Sequence, residues 1–186
     1  MEGIFFLLIG AAIFSQAGHV LGLYSEGRTI GVLSMSLGLL TLGTFMLGTA
    51  IAPTLISGDG TAALMTALAA LVMLWATYSL AVGAQSLWDM DTRPIGVYSF
   101  FLAIGSLVVF LIFALSMAEG GVFEHGTGVW LAMSVVPLIL TIISSIIFFH
   151  LTFQLQALRL VSGWAMLLGG AVVGIVGLWG LASAIT

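Results

Sequence analysis

The chain has no cysteine and no lysine, three prolines, and charge on only 5% of its 186 residues. Without cysteine, disulfides, thiolate nucleophiles and thiolate metal sites are excluded together. Three arginines against seven acids, for a formal net charge of −4, leave no basic patch to hold a nucleic acid. A soluble domain carries roughly a quarter charged residues, so water is not the main solvent of this chain. The sequence contains no metal-ligand cluster, phosphate loop or nucleophile beside a base. Asp89 and Asp91 are the nearest approach to paired carboxylates, but they flank a loop with nothing electrophilic beside them. Neither enzyme activity nor a cofactor is expected.

What is present is apolar: 61% hydrophobic residues and a mean hydropathy of +1.30. In lipid the backbone must satisfy its own hydrogen bonds, which leaves helices or closed barrels. Barrel strands alternate polar and apolar residues, whereas here the apolar runs are continuous. Stretches 3–25, 29–58, 60–88, 94–118, 126–158 and 160–186 contain no Asp, Glu, Lys or Arg. A crossing takes about 20 residues, so each stretch holds one span. The helices are expected near Ile4–Leu23, Ile30–Ala52, Thr61–Leu87, Ile95–Met117, Val129–Phe153 and Leu160–Ala184. The first is kept as a helix and not a cleaved leader, because Glu2 is the only charge before Glu26 and a basic n-region is lacking. The whole chain, 1–186, reads as a single all-α integral membrane domain surrounded by lipid.

Arg28, Arg93 and Arg159 fall in the loops after the first, third and fifth helices. The positive-inside rule makes those loops cytoplasmic and puts both termini outside, in a protein of the inner, or cytoplasmic, membrane. The external loops carry Asp59 in one case and Glu119, Glu124 and His125 in the other.

The three arginines also mark an internal repeat. Arg28-Thr-Ile-Gly31-Val, Arg93-Pro-Ile-Gly96-Val and Arg159-Leu-Val-Ser-Gly163-Trp are spaced 65 and 66 residues apart. Each repeat is a helical hairpin, over approximately 1–58, 59–124 and 125–186, and three hairpins around a pseudo-threefold axis are the economical arrangement. His19 and His150 each lie nine residues before their arginine, and Gln85 lies eight before Arg93. An interfacial role is the simpler reading of both histidines. His125, beside Glu124, titrates near neutral pH if its pKa is ordinary and is a candidate pH-sensing group at a pore mouth; a solvated loop residue is the plainer reading. The return helices are rich in glycine, and Gly170-x-x-x-Gly174 fits the small-residue packing motif of a helix interface. Pro137 is expected to kink the fifth helix, with Thr141, Ser144 and Ser145 available to freed carbonyls. Asp89, Asp91 and Arg93 are expected to cap the second cytoplasmic loop, and Trp88 and Tyr98 to anchor at the interface.

The segment Asp91-Thr-Arg93-Pro94-Ile-Gly-Val-Tyr98-Ser99-Phe-Phe101-Leu-Ala103-Ile104 resembles the loop and fourth-helix signature of the urea and short-chain amide channel family (AmiS/UreI). Gly3, Leu7, Gly10 and Ser15 fall where that family's first helix has the same residues, and Thr77-Tyr78 and Gly163-Trp164 have counterparts. The resemblance implies a homo-oligomer, a hexamer, in which each protomer passes a small neutral solute such as urea or a short-chain amide. Carried over, the family's pore face becomes Ile9, Ile13 and Gln16 on the first helix and Ala76 and Leu80 on the third. On the fifth helix only Trp130 lies near the family's tryptophan filter, followed by Met133 and Pro137; a shifted alignment places Leu138, Thr141 and Ser145 there. Gly169 replaces the family's sixth-helix carboxylate. An unpaired charge crossing so apolar a tube meets a steep desolvation cost, which favours a neutral solute. Two alternatives stand beside this one: an acetate or small-carboxylate transporter, whose Asn-Pro-x-Pro-Leu-Gly motif is absent, and a non-conducting subunit packed against partners in a larger membrane complex.

Overall fold

The computed structural model describes residues 2–23, 26–51, 61–118 and 127–182. They form six α-helices: α1 (Glu2–Val20), α2 (Gly27–Ile51), α3 (Thr61–Trp88), α4 (Arg93–Ala118), α5 (Thr127–Thr152) and α6 (Leu158–Ala182). All six are long and apolar enough to cross a bilayer, and the protein is a multi-pass integral membrane protein. Asp59, Glu119, Glu124 and His125 lie outside the described residues, as do the expected helix ends Ala52 and Ala184.

The even helices start earlier than expected, and each takes its arginine into the first turn. Arg28 and Arg159 are the second residues of α2 and α6, and Arg93 is the first of α4. A long cationic side chain reaches headgroup and water from a helix end, so charge does not force the backbone out of the helix there. At the α4 start the Asp91 carboxylate accepts the backbone N–H of Arg93 at 3.0 Å, and Pro94 occupies the first turn, where its missing N–H costs nothing. The expected Asp–Arg cap is therefore a side-chain-to-backbone contact.

The odd helices end alike. Gly22, Asp89 and Gln154 follow α1, α3 and α5 with φ of +78°, +49° and +51°. A left-handed residue turns the chain out of a helix and lets the next N–H reach back to an orphan carbonyl. Leu23 N–H bonds Gly18 O at 2.9 Å, and Met90 N–H bonds Gln85 O at 3.2 Å. This is why α1 stops at Val20, short of the Leu23 that hydropathy suggested.

Helix contacts run in a closed ring, each helix against its sequence neighbours and α6 back against α1. The most extensive pairs are α1/α6, α2/α3 and α4/α5, not the two helices of each sequence repeat. Glycine is the reason. A Cβ on Gly3 would lie 2.6 Å from Gly177 O, and one on Gly170 2.7 Å from Phe14 N; Gly10 meets the Gly174 backbone in the same way. Across α2/α3 a Cβ on Gly31 would lie 2.9 Å from Gly83 O, and one on Gly83 2.7 Å from Gly31 O. Across α4/α5 a Cβ on Gly96 would be 2.7 Å from Thr152 N. The stripe that matters on α6 is the seven-residue one, Gly163, Gly170 and Gly177, since nothing lies within 4 Å of a Cβ on Gly174 itself. The α3/α4 pair relies instead on polar ties: Trp75 Nε1–H donates to Ser106 Oγ at 3.1 Å, and Tyr98 O–H to Leu74 O at 3.1 Å. Tyr98 thus points into the protein, whereas Trp88 is exposed.

The even helices turn large apolar side chains outward, among them Leu39, Leu47, Phe101, Leu111, Leu168 and Ile175. The interior comes mainly from the odd helices. Within α5, Pro137 is fully buried, and Thr141, Ser144 and Ser145 donate to the carbonyls of Pro137, Leu140 and Thr141 of their own helix. The carbonyl that proline strips of its donor lies four residues upstream, at Met133, so these hydroxyls do not replace the lost bond.

Replacing Gly10 by Leu should force α1 and α6 apart and cost about 1–3 kcal/mol, seen as a lower Tm in detergent. Gly43→Ala, where a Cβ meets nothing within 4 Å, should raise stability by up to about 1 kcal/mol through helix propensity. Gln154→Gly should likewise stabilise, by about 1 kcal/mol, by removing a side chain from a left-handed conformation; thermal unfolding of the pair Gln154→Gly and Gln154→Ala checks this.

Candidate functional site

At the end of the bundle where the arginines sit, all six helices surround a cavity of about 290 Å³. Its walls are the last turns of the odd helices and the first turns of the even ones. Gln16 and His19 come from α1, Ile30 from α2, Tyr78, Gln85 and Ser86 from α3, Thr92 from the loop before α4 and Ile95 from α4, Ile147 and His150 from α5, and Arg159, Ser162 and Met166 from α6. At about 30 Å³ of liquid per water, the space holds a small solute with several waters.

Gln16 lines the cavity from α1. It is 3% exposed; its Nε2–H donates to Ser34 Oγ at 3.2 Å, while its Oε1 is buried with no partner. A buried acceptor left unmade costs free energy comparable to a lost hydrogen bond, so Gln16 retains unused capacity beside the cavity. Further from the arginine end the interior is filled. Ile9, Trp75 and Leu140 lie ten residues before His19, Gln85 and His150 respectively, and none is more than 2% exposed. With Leu71, Leu102 and Val136 they belong to one buried apolar cluster.

Nearer the mouth, polar side chains close the helix ends. Gln85 Nε2–H donates to Met90 O at 3.0 Å, and the His150 ring meets Leu155 O through Nδ1 at 3.2 Å, each five residues along its own chain. A carbonyl only accepts, so His150 Nδ1 carries the proton. His19 Nδ1 is buried without a partner. Arg159 Nε–H donates to Val20 O at 2.9 Å, placing a cation on the C-terminal end of α1, where the helix dipole favours it.

Of the residues expected to line a pore whose side chains are described, Gln16 alone lines this cavity. Ile9 and Ile13 lie in the buried cluster beyond it. Ala76 and Leu80 lie against Gly38 of α2, and Gly169 against Ile139 and Ile143 of α5. Trp130 is on α5, with its side chain outside the described part. Of the signature residues, Asp91, Arg93 and Pro94 shape the start of α4, and Tyr98 ties α4 to α3. Sequence reading placed His19 and His150 at helix ends near the interface, and there both line the cavity with Gln85. Their common spacing before each arginine was the available signal. Ser34, Ser106 and Ser162 carried none, because a lone serine in a membrane helix most often bonds its own preceding turn.

A family model described as AmiS/UreI family transporter matches residues 1–182. Comparison with the curated proteins finds no significant match. Among solved structures, the chain is similar to a cryo-electron microscopy structure of the Helicobacter pylori urea channel in a closed state, with a TM-score of 0.74 and 15% identity over 97% of each chain. A crystal structure of the urea channel from the same organism gives a TM-score of 0.70 and 18% identity, over 94% of this chain and 93% of that one. The two likenesses show the shared six-helix fold, and the family match over nearly the whole length shows that this chain belongs to the AmiS/UreI family of transporters.

Proposed function

We propose that the protein is a membrane channel for passive passage of a small neutral polar solute, urea or a short-chain amide. The observation that carries this is the cavity walled by all six helices. Its inner end presents uncharged hydrogen-bonding groups, Gln16 and Tyr78, and beyond these stands an apolar seal. Such a path replaces the hydrogen bonds of an amide on leaving water and gives an ion no compensation for its lost hydration. Membership in a transporter family and the fold of a urea channel support the same reading.

The path proposed here runs from the cavity past Gln16 to Ile13 and Ile9, with Ala76, Leu80, Trp130 and Gly169 shaping it from α3, α5 and α6. It is closed in this conformation, and opening requires the side chains around Trp75 to part. We take the arginine end to be cytoplasmic, both termini to be outside, and the location to be the inner membrane. His125, on the external side, is the proposed pH-sensing group. We read 1–58, 59–124 and 125–186 as three hairpins about a pseudo-threefold axis, a reading supported by the matched left-handed residues Gly22, Asp89 and Gln154. The bare apolar faces of α2, α4 and α6 suit lipid and sister protomers, and we propose a homo-hexamer. The filled interior around Ile9, Trp75 and Leu140 also suits a second reading, a non-conducting subunit in complex with other membrane proteins.

Liposomes containing the purified protein should re-swell faster than empty ones when challenged with urea, acetamide or formamide, as followed by stopped-flow light scattering. Acetate-dependent flux alone would turn the assignment to a carboxylate transporter, and no acceleration with any solute, in folded protein, to the non-conducting subunit. Gln16→Leu should slow amide flux about fivefold, the equivalent of one hydrogen bond of about 1 kcal/mol. Trp75→Ala should speed flux and blur the discrimination between acetamide and larger amides.

A further inference from the structure

The chain has three arginines and three histidines in all, and one arginine and two histidines line the same cavity. No acid lines it. In a protein with a net charge of −4 the acids outnumber the arginines, yet at this end two of them are turned to other work, the Asp91 carboxylate accepting the Arg93 N–H and Glu26 the Thr29 hydroxyl at 3.0 Å, while Asp89 sits in the turn after α3 outside the cavity lining. The cavity is thus a basic pocket in an acidic chain.

Its donors are unevenly used. The Arg159 guanidinium spends its Nε–H on Val20 O, leaving its terminal N–H groups, one of which lies beside Gly22. His19 Nδ1 is buried and unpartnered. His150 gives its Nδ1 proton to Leu155 O, so Nε2 is a bare acceptor while the ring is neutral and becomes a donor when the ring is charged. The Ser162 hydroxyl donates to Met166 Sδ at 3.9 Å, a weak bond that it can exchange for a stronger acceptor. Among the described residues, the titratable or charged groups lining the cavity are His19 on α1, Tyr78 on α3, His150 on α5 and Arg159 on α6, with none from α2 or α4.

From this set we propose that the cavity binds a small planar oxyanion of the carboxylate class, held by the Arg159 guanidinium, His19 and His150, with Ser162 as a neutral donor. Arginine suits the two oxygens of a carboxylate, and a charged donor makes a hydrogen bond roughly twice as strong as a neutral one. Because the bond from His150 Nε2 exists only in the protonated ring, binding tightens as pH falls. The apolar cluster around Ile9, Trp75 and Leu140 offers the anion no partner, so it occupies the mouth without crossing. A neutral amide approaching the same mouth then competes with it.

Calorimetric titration of sodium acetate into the full-length protein in detergent, against sodium chloride at equal ionic strength, tests this without reference to flux. The expected result is saturable acetate binding, tighter at about pH 6 than at about pH 8. His150→Gln should abolish that pH dependence and weaken binding about tenfold at the lower pH, with His19→Gln weakening it further. Arg159→Gln also removes the cap on α1, so the two histidine variants, with Tm checked against the parent, carry the test. Absence of saturable acetate heat at the lower pH overturns the proposal, as does equal binding of chloride or binding that both histidine variants leave unchanged. The channel reading stands or falls separately, on the liposome assay.

Discussion

Close approach of helix backbones is the constraint on which this structure depends. In lipid there is no hydrophobic force to press one apolar helix on another, so association rests on packing and on the few polar groups available. Where Gly3 and Gly10 meet Gly177 and Gly174, and where Gly31 meets Gly83, the contact is backbone to backbone. Those pairs act as rigid staves. The looser seams between them, α1/α2, α3/α4 and α5/α6, are the ones that open onto the cavity at their shared loops, and side chains rather than backbones determine their width.

The division of labour between odd and even helices follows. An even helix in this ring spends one narrow glycine stripe on its partner and leaves the rest of its circumference to lipid, so its outer residues need only be apolar. An odd helix is covered on more sides, and its inward residues must both fill volume and satisfy every polar atom. Trp75 illustrates the second demand: its ring fills the interior, and Ser106 takes the one proton it carries. Gln16 meets the demand only in part, as does His19, and both line the cavity.

The six spans were legible because charge is expensive in hydrocarbon, and seven acids and three arginines fall only between them or at their ends. Helix ends were less legible, since the rule that located the spans also pushed each arginine out of its helix, although a side chain of that length tolerates the first turn. The glycine stripes were visible, but not which neighbour each faced; a seven-residue stripe and a four-residue motif overlap on α6, and coordinates were needed to separate them. The cavity was least legible. Its polar groups come from six separate segments, and for His19 and His150 a position near a helix end gave the same expectation whether the ring faced headgroups or an internal space. Ala76 and Leu80 sit one helical face away from Trp75, and nothing in their apolar character distinguishes the two faces.

The pairing of α1 with α6, sealed by Arg159 on the Val20 carbonyl 139 residues away in the chain, joins a helix to a partner that is made well after it. During synthesis α1 therefore enters the bilayer with its glycine face bare and keeps it so until the sixth span is released from the ribosome. Two consequences concern biogenesis. The nascent chain needs an interim neighbour for that face, whether the insertion machinery or lipid itself. And ring closure, the contact of greatest sequence separation among the six helices, waits on α6, and contacts so distant in sequence form slowly.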